Sequence, residues 1–187
     1  MKSFQKSTLI LSFLFALTAC GGGGGDTGTA TTGKYSGTYS YCDGDHTRYK
    51  VVFTDTGNEN YKSLTSEITY QNANCTGTVL ATYSETVPST LTFQESSIAT
   101  VNVPNLGSSL KIDKYKINIP KFTATLSGPG VVNGNCVKYP NGQFCYTLDS
   151  DAEQLDVGFY SSSNGVYPLV LENGVYTNTD GDVLIKE

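Results

Sequence analysis

The feature that most constrains this chain is the spacing of its apolar residues, which recur at every second position. In SLTSEITYQ (63–71), Leu64, Ile68 and Tyr70 share one face, and Thr65, Glu67 and Thr69 share the other. KYKINIPKF (114–122) alternates Tyr115, Ile117 and Ile119 with Lys116 and Asn118. KFTATLSG (121–128) continues with Phe122, Ala124 and Leu126, and QLDVGFYS (154–161) repeats the pattern with Leu155, Val157 and Phe159. A period of two places alternate side chains on opposite faces of a strand, so each segment reads as a strand with one buried face. Turn signals separate the segments: Asp43-Gly44, Thr56-Gly57-Asn58, Asn105-Leu106-Gly107, Asn133-Gly134-Asn135, Asn164-Gly165, Asn173-Gly174 and Asp180-Gly181. Strands at this spacing, joined by short turns, predict one all-β domain with antiparallel neighbours, a barrel or a sandwich. Only SDAEQL (150–155) hints at a helix of one turn, because Ser150 and Glu153 stand at capping-box spacing.

The N-terminus follows a different logic. Lys2 and Lys6 precede an apolar run from Leu9 to Ala19, broken only by Ser12 and Thr18. A bilayer span needs about 20 apolar residues, and this run is too short. A positive start, a short apolar stretch and small residues at its end describe a secretory leader, here residues 1–19. LTAC (17–20) resembles the lipobox of bacterial lipoproteins. That resemblance implies cleavage before Cys20, lipidation of Cys20, and attachment to a membrane through several acyl chains. One acyl chain alone is marginal, at about 0.8 kcal/mol per buried CH₂. Gly21 follows the cysteine. In the Gram-negative pattern a residue other than aspartate there implies the outer membrane; a Gram-positive host would make the same motif a plasma-membrane anchor.

GGGGGDTGTATTG (21–33) has no large apolar side chain and cannot offset the entropy of ordering it. It reads as a tether with an end-to-end distance of about 20 Å. Residues 20–33 are thus lipidated cysteine plus tether, and 34–187 form the β domain. Removing 1–19 takes two of the 12 basic residues and none of the 17 acidic ones, so the formal charge moves from −5 to −7. Nucleic-acid binding rests on basic residues that neutralise phosphate, so this balance argues against it.

Four further cysteines, Cys42, Cys75, Cys136 and Cys145, read as two disulfides in an exported chain. Three connectivities are possible, and Cys42–Cys75 with Cys136–Cys145 is favoured. The second pair brackets VKYPNGQF with its Pro140-Asn141-Gly142 turn; a four-residue loop would set the two cysteines opposite each other and a two-residue loop would not. No pair has C-x-x-C spacing and His46 is the single histidine, which argues against zinc.

YSGTYSYC (35–42) resembles the opening strand of lipocalin-like barrels, with Gly37 at the glycine and Tyr39 in place of the tryptophan. Some small bacterial lipoproteins of this kind pair a cysteine at the end of that strand with another some thirty residues on, as Cys42 and Cys75 would. The resemblance favours a lipocalin-like barrel. YSYCDGDHTRYKVVF (39–53) also resembles small lysozyme-inhibitor lipoproteins, which carry a cysteine-bearing early strand.

Chemistry is sparsely signalled. His46 sits in CDGDHTR beside a turn and reads as a solvated turn residue, with no partner motif for nucleophilic catalysis. Asp43, Asp45, Asp149, Asp151, Glu153 and Asp156 are candidates for a carboxylate pair by type alone. DGDH and TNTDGDV offer Asp43, Asp45, Asp180 and Asp182 as weak calcium ligands, too few for a cation that takes six to eight oxygens. No catalytic residue, resident metal or cofactor is assigned. All 13 tyrosines follow the tether, and core packing is the default for each. NGVY occurs at Asn164–Tyr167 and again at Asn173–Tyr176, as two turn-plus-strand units. The sequence therefore predicts an outer-membrane lipoprotein with a non-enzymatic β domain that binds a small apolar ligand or an envelope protein. The alternatives are a carboxylate-dependent hydrolase of envelope polymer and a lysozyme-inhibitor-like protein.

Overall fold

A computed structural model of the chain describes residues 33–140 and 142–187. The leader, Cys20, the tether up to residue 32, and Asn141 of the Pro140-Asn141-Gly142 turn lie outside the described residues.

The described residues form strands and turns only. The first six strands are β1 (Gly37–Cys42), β2 (Thr47–Gly57), β3 (Asn60–Asn72), β4 (Thr76–Ser84), β5 (Ser89–Asn102) and β6 (Ser109–Ile119). Six short ones follow: β7 (Phe122–Thr123), β8 (Thr125–Ser127), β9 (Val131–Val132), β10 (Cys136–Tyr139), β11 (Gly142–Cys145) and β12 (Asp149–Ser150). The chain ends with β13 (Glu153–Ser162), β14 (Gly165–Glu172), β15 (Val175–Thr177) and β16 (Ile185–Lys186). The main sheet runs β15-β14-β13-β6-β5-β3-β2-β1-β16, with β4 branching from β3 to meet β8. Neighbours along this path are antiparallel, and β15 also pairs in parallel with β5. Tight turns enforce the order. Asn58 and Glu59, and likewise Asn173 and Gly174, take left-handed φ values of 54° and 59°, and 51° and 80°. Two such residues match the twist of the flanking strands in a two-residue hairpin.

The all-β fold is as expected, and the main sheet is not a closed barrel. Leu184, just before β16, exchanges two backbone hydrogen bonds with Val166 of β14 at 2.8 and 2.9 Å, and β16 then pairs with β1. This single bridge is where the ends of the sheet meet, so the sheet curls without closing in a continuous ladder. β16 is too short to carry more. The one-turn helix also fails to form: Ser150 ends β12 against Phe122, and Glu153 begins β13 against Ile119. Ladder pairing outweighs a capping box with no helix behind it.

Aromatic rings fill the curl. Tyr35, Tyr39, Phe53, Tyr61, Tyr115 and Phe159 pack with Val51, Leu91, Val166 and Leu184. A second core joins Ala81 and Tyr83 of β4 to Phe122, Ala124, Val137 and Tyr146. A third lies where β15 pairs with β5 and gathers Val101, Val103, Ile112, Tyr167, Leu169 and Tyr176. None of the 13 tyrosines is exposed. The face expected to be buried on β3 is not the one observed. Tyr61, Ser63, Glu67 and Thr69 are buried, whereas Leu64, Ile68 and Tyr70 are half-buried. The inward polar groups have partners there, as the Thr69 hydroxyl lies 3.0 Å from the Tyr146 phenol.

Both favoured disulfides are present: Cys42–Cys75 and Cys136–Cys145. The loop argument for the second was mistaken. Tyr139 already pairs with Gly142, which leaves a two-residue loop, and the same register sets Cys136 opposite Cys145. Partners in a hairpin are symmetric about its centre, so two- and four-residue loops sharing that centre give the same pairing.

Candidate functional site

Alternation along β6 places Asp113 on the inner face with Tyr115 and Ile117, opposite Ser96 on β5 and Phe159 on β13. Asp113 is only 7% exposed. A carboxylate so far from water requires hydrogen-bonded partners. Lys34 Nζ donates to Oδ2 at 2.6 Å, the Tyr35 hydroxyl donates to the same oxygen at 2.5 Å, and the Ser96 hydroxyl donates to Oδ1. The Tyr35 proton is committed to Asp113, so its oxygen accepts from the Ser161 hydroxyl at 3.1 Å. Burial opposes ionisation of Asp113. The hydrogen bonds from Lys34, Ser96 and Tyr35, with the Lys34 charge, outweigh it and hold the carboxyl below its ordinary pKa. Burial, then the hydrogen bond to Asp113, pushes the Tyr35 phenol far above its ordinary range. The network ties Lys34 and Tyr35 to Asp113 of β6 and Ser161 of β13.

What it fastens is the first of the described residues. Gly33 N donates to Asp55 Oδ2 at 2.8 Å, and Tyr35 N donates to the Tyr61 hydroxyl at 3.2 Å. A Cβ on Gly33 would stand 2.6 Å from that hydroxyl, so the close approach requires glycine. Tyr35 is 1% exposed, and its ring meets Tyr61, Tyr115 and Phe159 at centroid distances of 5.1–6.2 Å. Tyr35 therefore belongs to the core, and half-buried Gly33 and exposed Lys34 are tied down beside it.

Beside this network lies an open cleft of about 290 Å³, lined by Lys34, Glu59, Ser96, Lys111, Asp113, Phe159 and Ser161. Lys111 stands two residues before Asp113 and so on the same face of β6. Glu59 projects from the β2–β3 turn.

A second polar cluster sits elsewhere in the interior. Glu67, 2% exposed, lies among Tyr49, Tyr83 and Tyr146. Tyr41 stacks on Tyr49 and Tyr83 on Tyr146, both at 4.8 Å. Burial raises all four phenols, and neighbouring carboxylates raise them further: Asp182 for Tyr41, Glu85 for Tyr83, and Glu67 for Tyr49 and Tyr146.

Several of the carboxylates singled out in the sequence close turns or pair with lysines. Asp43 Oδ1 accepts from Asp45 N at 2.9 Å and Thr47 N at 3.1 Å, closing its turn. Asp149 accepts from the Thr123 hydroxyl at 2.8 Å. Asp151 and Asp156 pair with Lys121 and Lys116 at 3.3 and 3.7 Å. Glu153 and Asp180 are exposed, and half-buried Asp182 hydrogen-bonds Tyr41. Among the described residues, one grouping has metal-ligand spacing, Cys42, Asp43 and Cys75, and its sulfurs are joined in the disulfide. His46 differs from expectation. It is half-buried, stacks on Tyr139 at 4.7 Å, and donates from Nδ1 to the Tyr70 carbonyl at 3.1 Å.

The chain matches no known protein family, and no curated protein and no solved structure matches it.

Proposed function

We propose that this chain is a lipid-anchored envelope protein whose β domain works by binding rather than by chemistry. The observation that carries this reading is the state of Asp113. Its oxygens are taken up by Lys34, Tyr35 and Ser96, and it serves to pin the segment through which a tether from Cys20 enters the domain. A fastened entry point suits a domain held at a membrane by that segment. The packed rings of the main core favour contact through surface and cleft over storage of an apolar ligand in the interior. The lipobox-like LTAC and the glycine-rich run supply the anchor.

The test is fractionation of cells expressing the full chain or its Cys20→Ser variant. The native chain is expected in the membrane fraction and the variant in the soluble exported fraction. A variant that remains with the membrane as fully as its parent overturns the anchor.

A further inference from the structure

The cleft beside Asp113 holds two opposite charges that do not pair. Lys111 and Glu59 both line it, yet neither makes an ion pair or a side-chain hydrogen bond among the described residues. Lys50, Lys114, Lys116 and Lys121 each find a carboxylate. The remaining groups extend the same polarity. Lys34 Nζ spends one of its three donors on Asp113 and keeps two. The Ser96 and Ser161 hydroxyls donate inward, which leaves their oxygen lone pairs for the cleft. The Phe159 ring supplies an apolar wall.

The backbone adds an independent observation. Glu59 takes φ 59° at the second central position of a two-residue turn, where glycine is the usual occupant. A β-carbon is disfavoured in that conformation, and strain of this kind collects at functional positions. The turn itself gains nothing from a glutamate. The cleft gains its unpaired carboxylate.

We propose that this cleft binds a small zwitterion. Its acidic group sits against Lys111 and the free donors of Lys34, and its ammonium sits against Glu59 and the serine oxygens. A volume of about 290 Å³ accommodates both groups of a small zwitterion. A free metabolite and the headgroup of a zwitterionic phospholipid share this chemistry. The proposal depends on the cleft alone and stands or falls independently of the anchor at Cys20.

Isothermal titration calorimetry on the purified full-length chain at low salt tests it, with O-phosphoethanolamine as probe and inorganic phosphate and ethylamine as its separate halves. The expected result is saturable binding of phosphoethanolamine at least tenfold tighter than either half. Glu59→Gly is expected to weaken binding at least tenfold while leaving the melting temperature within about 2 °C of the parent or raising it, because glycine relieves the turn. Lys111→Ala, at an exposed position, is expected to weaken binding to a similar degree. A second arm replaces the probe with short-chain phosphatidylethanolamine, with both arms run in one non-ionic detergent. Tighter binding there assigns the headgroup as the source, and equal or weaker binding assigns a free zwitterion. Absence of heat at millimolar phosphoethanolamine, equal affinity for phosphate alone, or unchanged affinity in both variants overturns the proposal.

Discussion

Tyr35→Phe removes one oxygen from the buried network and leaves the ring that fills the core. The Tyr35 hydroxyl donates to Asp113 at 2.5 Å and accepts from Ser161 at 3.1 Å, at a residue 1% exposed. A hydrogen bond to a charged group contributes about 1.5–3 kcal/mol, and the carboxylate left behind keeps only Lys34 and Ser96. The expected loss of stability is therefore about 1.5–3 kcal/mol. For a chain of this size it corresponds to roughly 3–12 °C in melting temperature. The chain has no tryptophan, so urea denaturation followed by far-UV circular dichroism is the assay. A double-mutant cycle with Asp113→Asn separates this hydrogen bond from ring packing. A cost below about 0.5 kcal/mol, or the same cost in the Asp113→Asn background, would refute the reasoning, because the hydroxyl would then not be acting through the charge.

Three further outcomes follow from the same geometry. Asp113 has a folded-state pKa below its unfolded value, so its ionised form contributes stability that is present above about pH 4 and lost as pH falls through the folded value; the stability gap between wild type and Asp113→Asn is expected to narrow over that acid range in urea titrations. In the loop-entropy relation, the 33-residue separation of Cys42–Cys75 contributes about 3.7 kcal/mol and the 9-residue separation of Cys136–Cys145 about 2.6 kcal/mol. Replacing the first pair with alanines is thus expected to cost about 1 kcal/mol more than replacing the second, and calorimetry showing the reverse order contradicts the estimate. Gly158→Ala is expected to destabilise by about 1–3 kcal/mol through overpacking. Its Cβ would lie 2.8 Å from Ile112 Cδ1 and 3.0 Å from the Tyr176 ring, and Tyr176→Leu in the same chain should recover part of the loss.

Strand alternation and turn chemistry were legible in the sequence because both are local. Asn173-Gly174 makes its hairpin with left-handed residues, as such a dipeptide does, and Tyr115 and Phe159 point inward as their spacing requires. The inner face of β3 was not legible. Ser63, Glu67 and Thr69 look like solvent-facing residues until the Tyr146 phenol arrives from 77 residues away to meet Thr69. The way the ends of the sheet approach was equally hidden, since it depends on one bridge between Val166 and Leu184 and on the two-residue β16 pairing with β1. Asp113 left a faint signal. In LKIDKYKINI it stands in phase with Tyr115 and Ile117, a carboxylate at an inward position, and such a position requires partners. Those partners, Lys34 and Tyr35, lie 79 and 78 residues earlier, and nothing local connects them. The exposed Asp-Gly turns are legible because their chemistry is local. The buried carboxylates Glu67 and Asp113 lie within strands, and Glu85 directly follows β4.

Intact-mass and N-terminal peptide mass spectrometry of the full chain, expressed in a Gram-negative host and extracted from its membranes, tests the central claim most directly. The account predicts a mature chain that begins at Cys20, with that residue carrying acyl-chain mass, and disulfides joining Cys42 to Cys75 and Cys136 to Cys145. A membrane-extracted chain that retains Met1, or that begins at an unmodified Cys20, contradicts it.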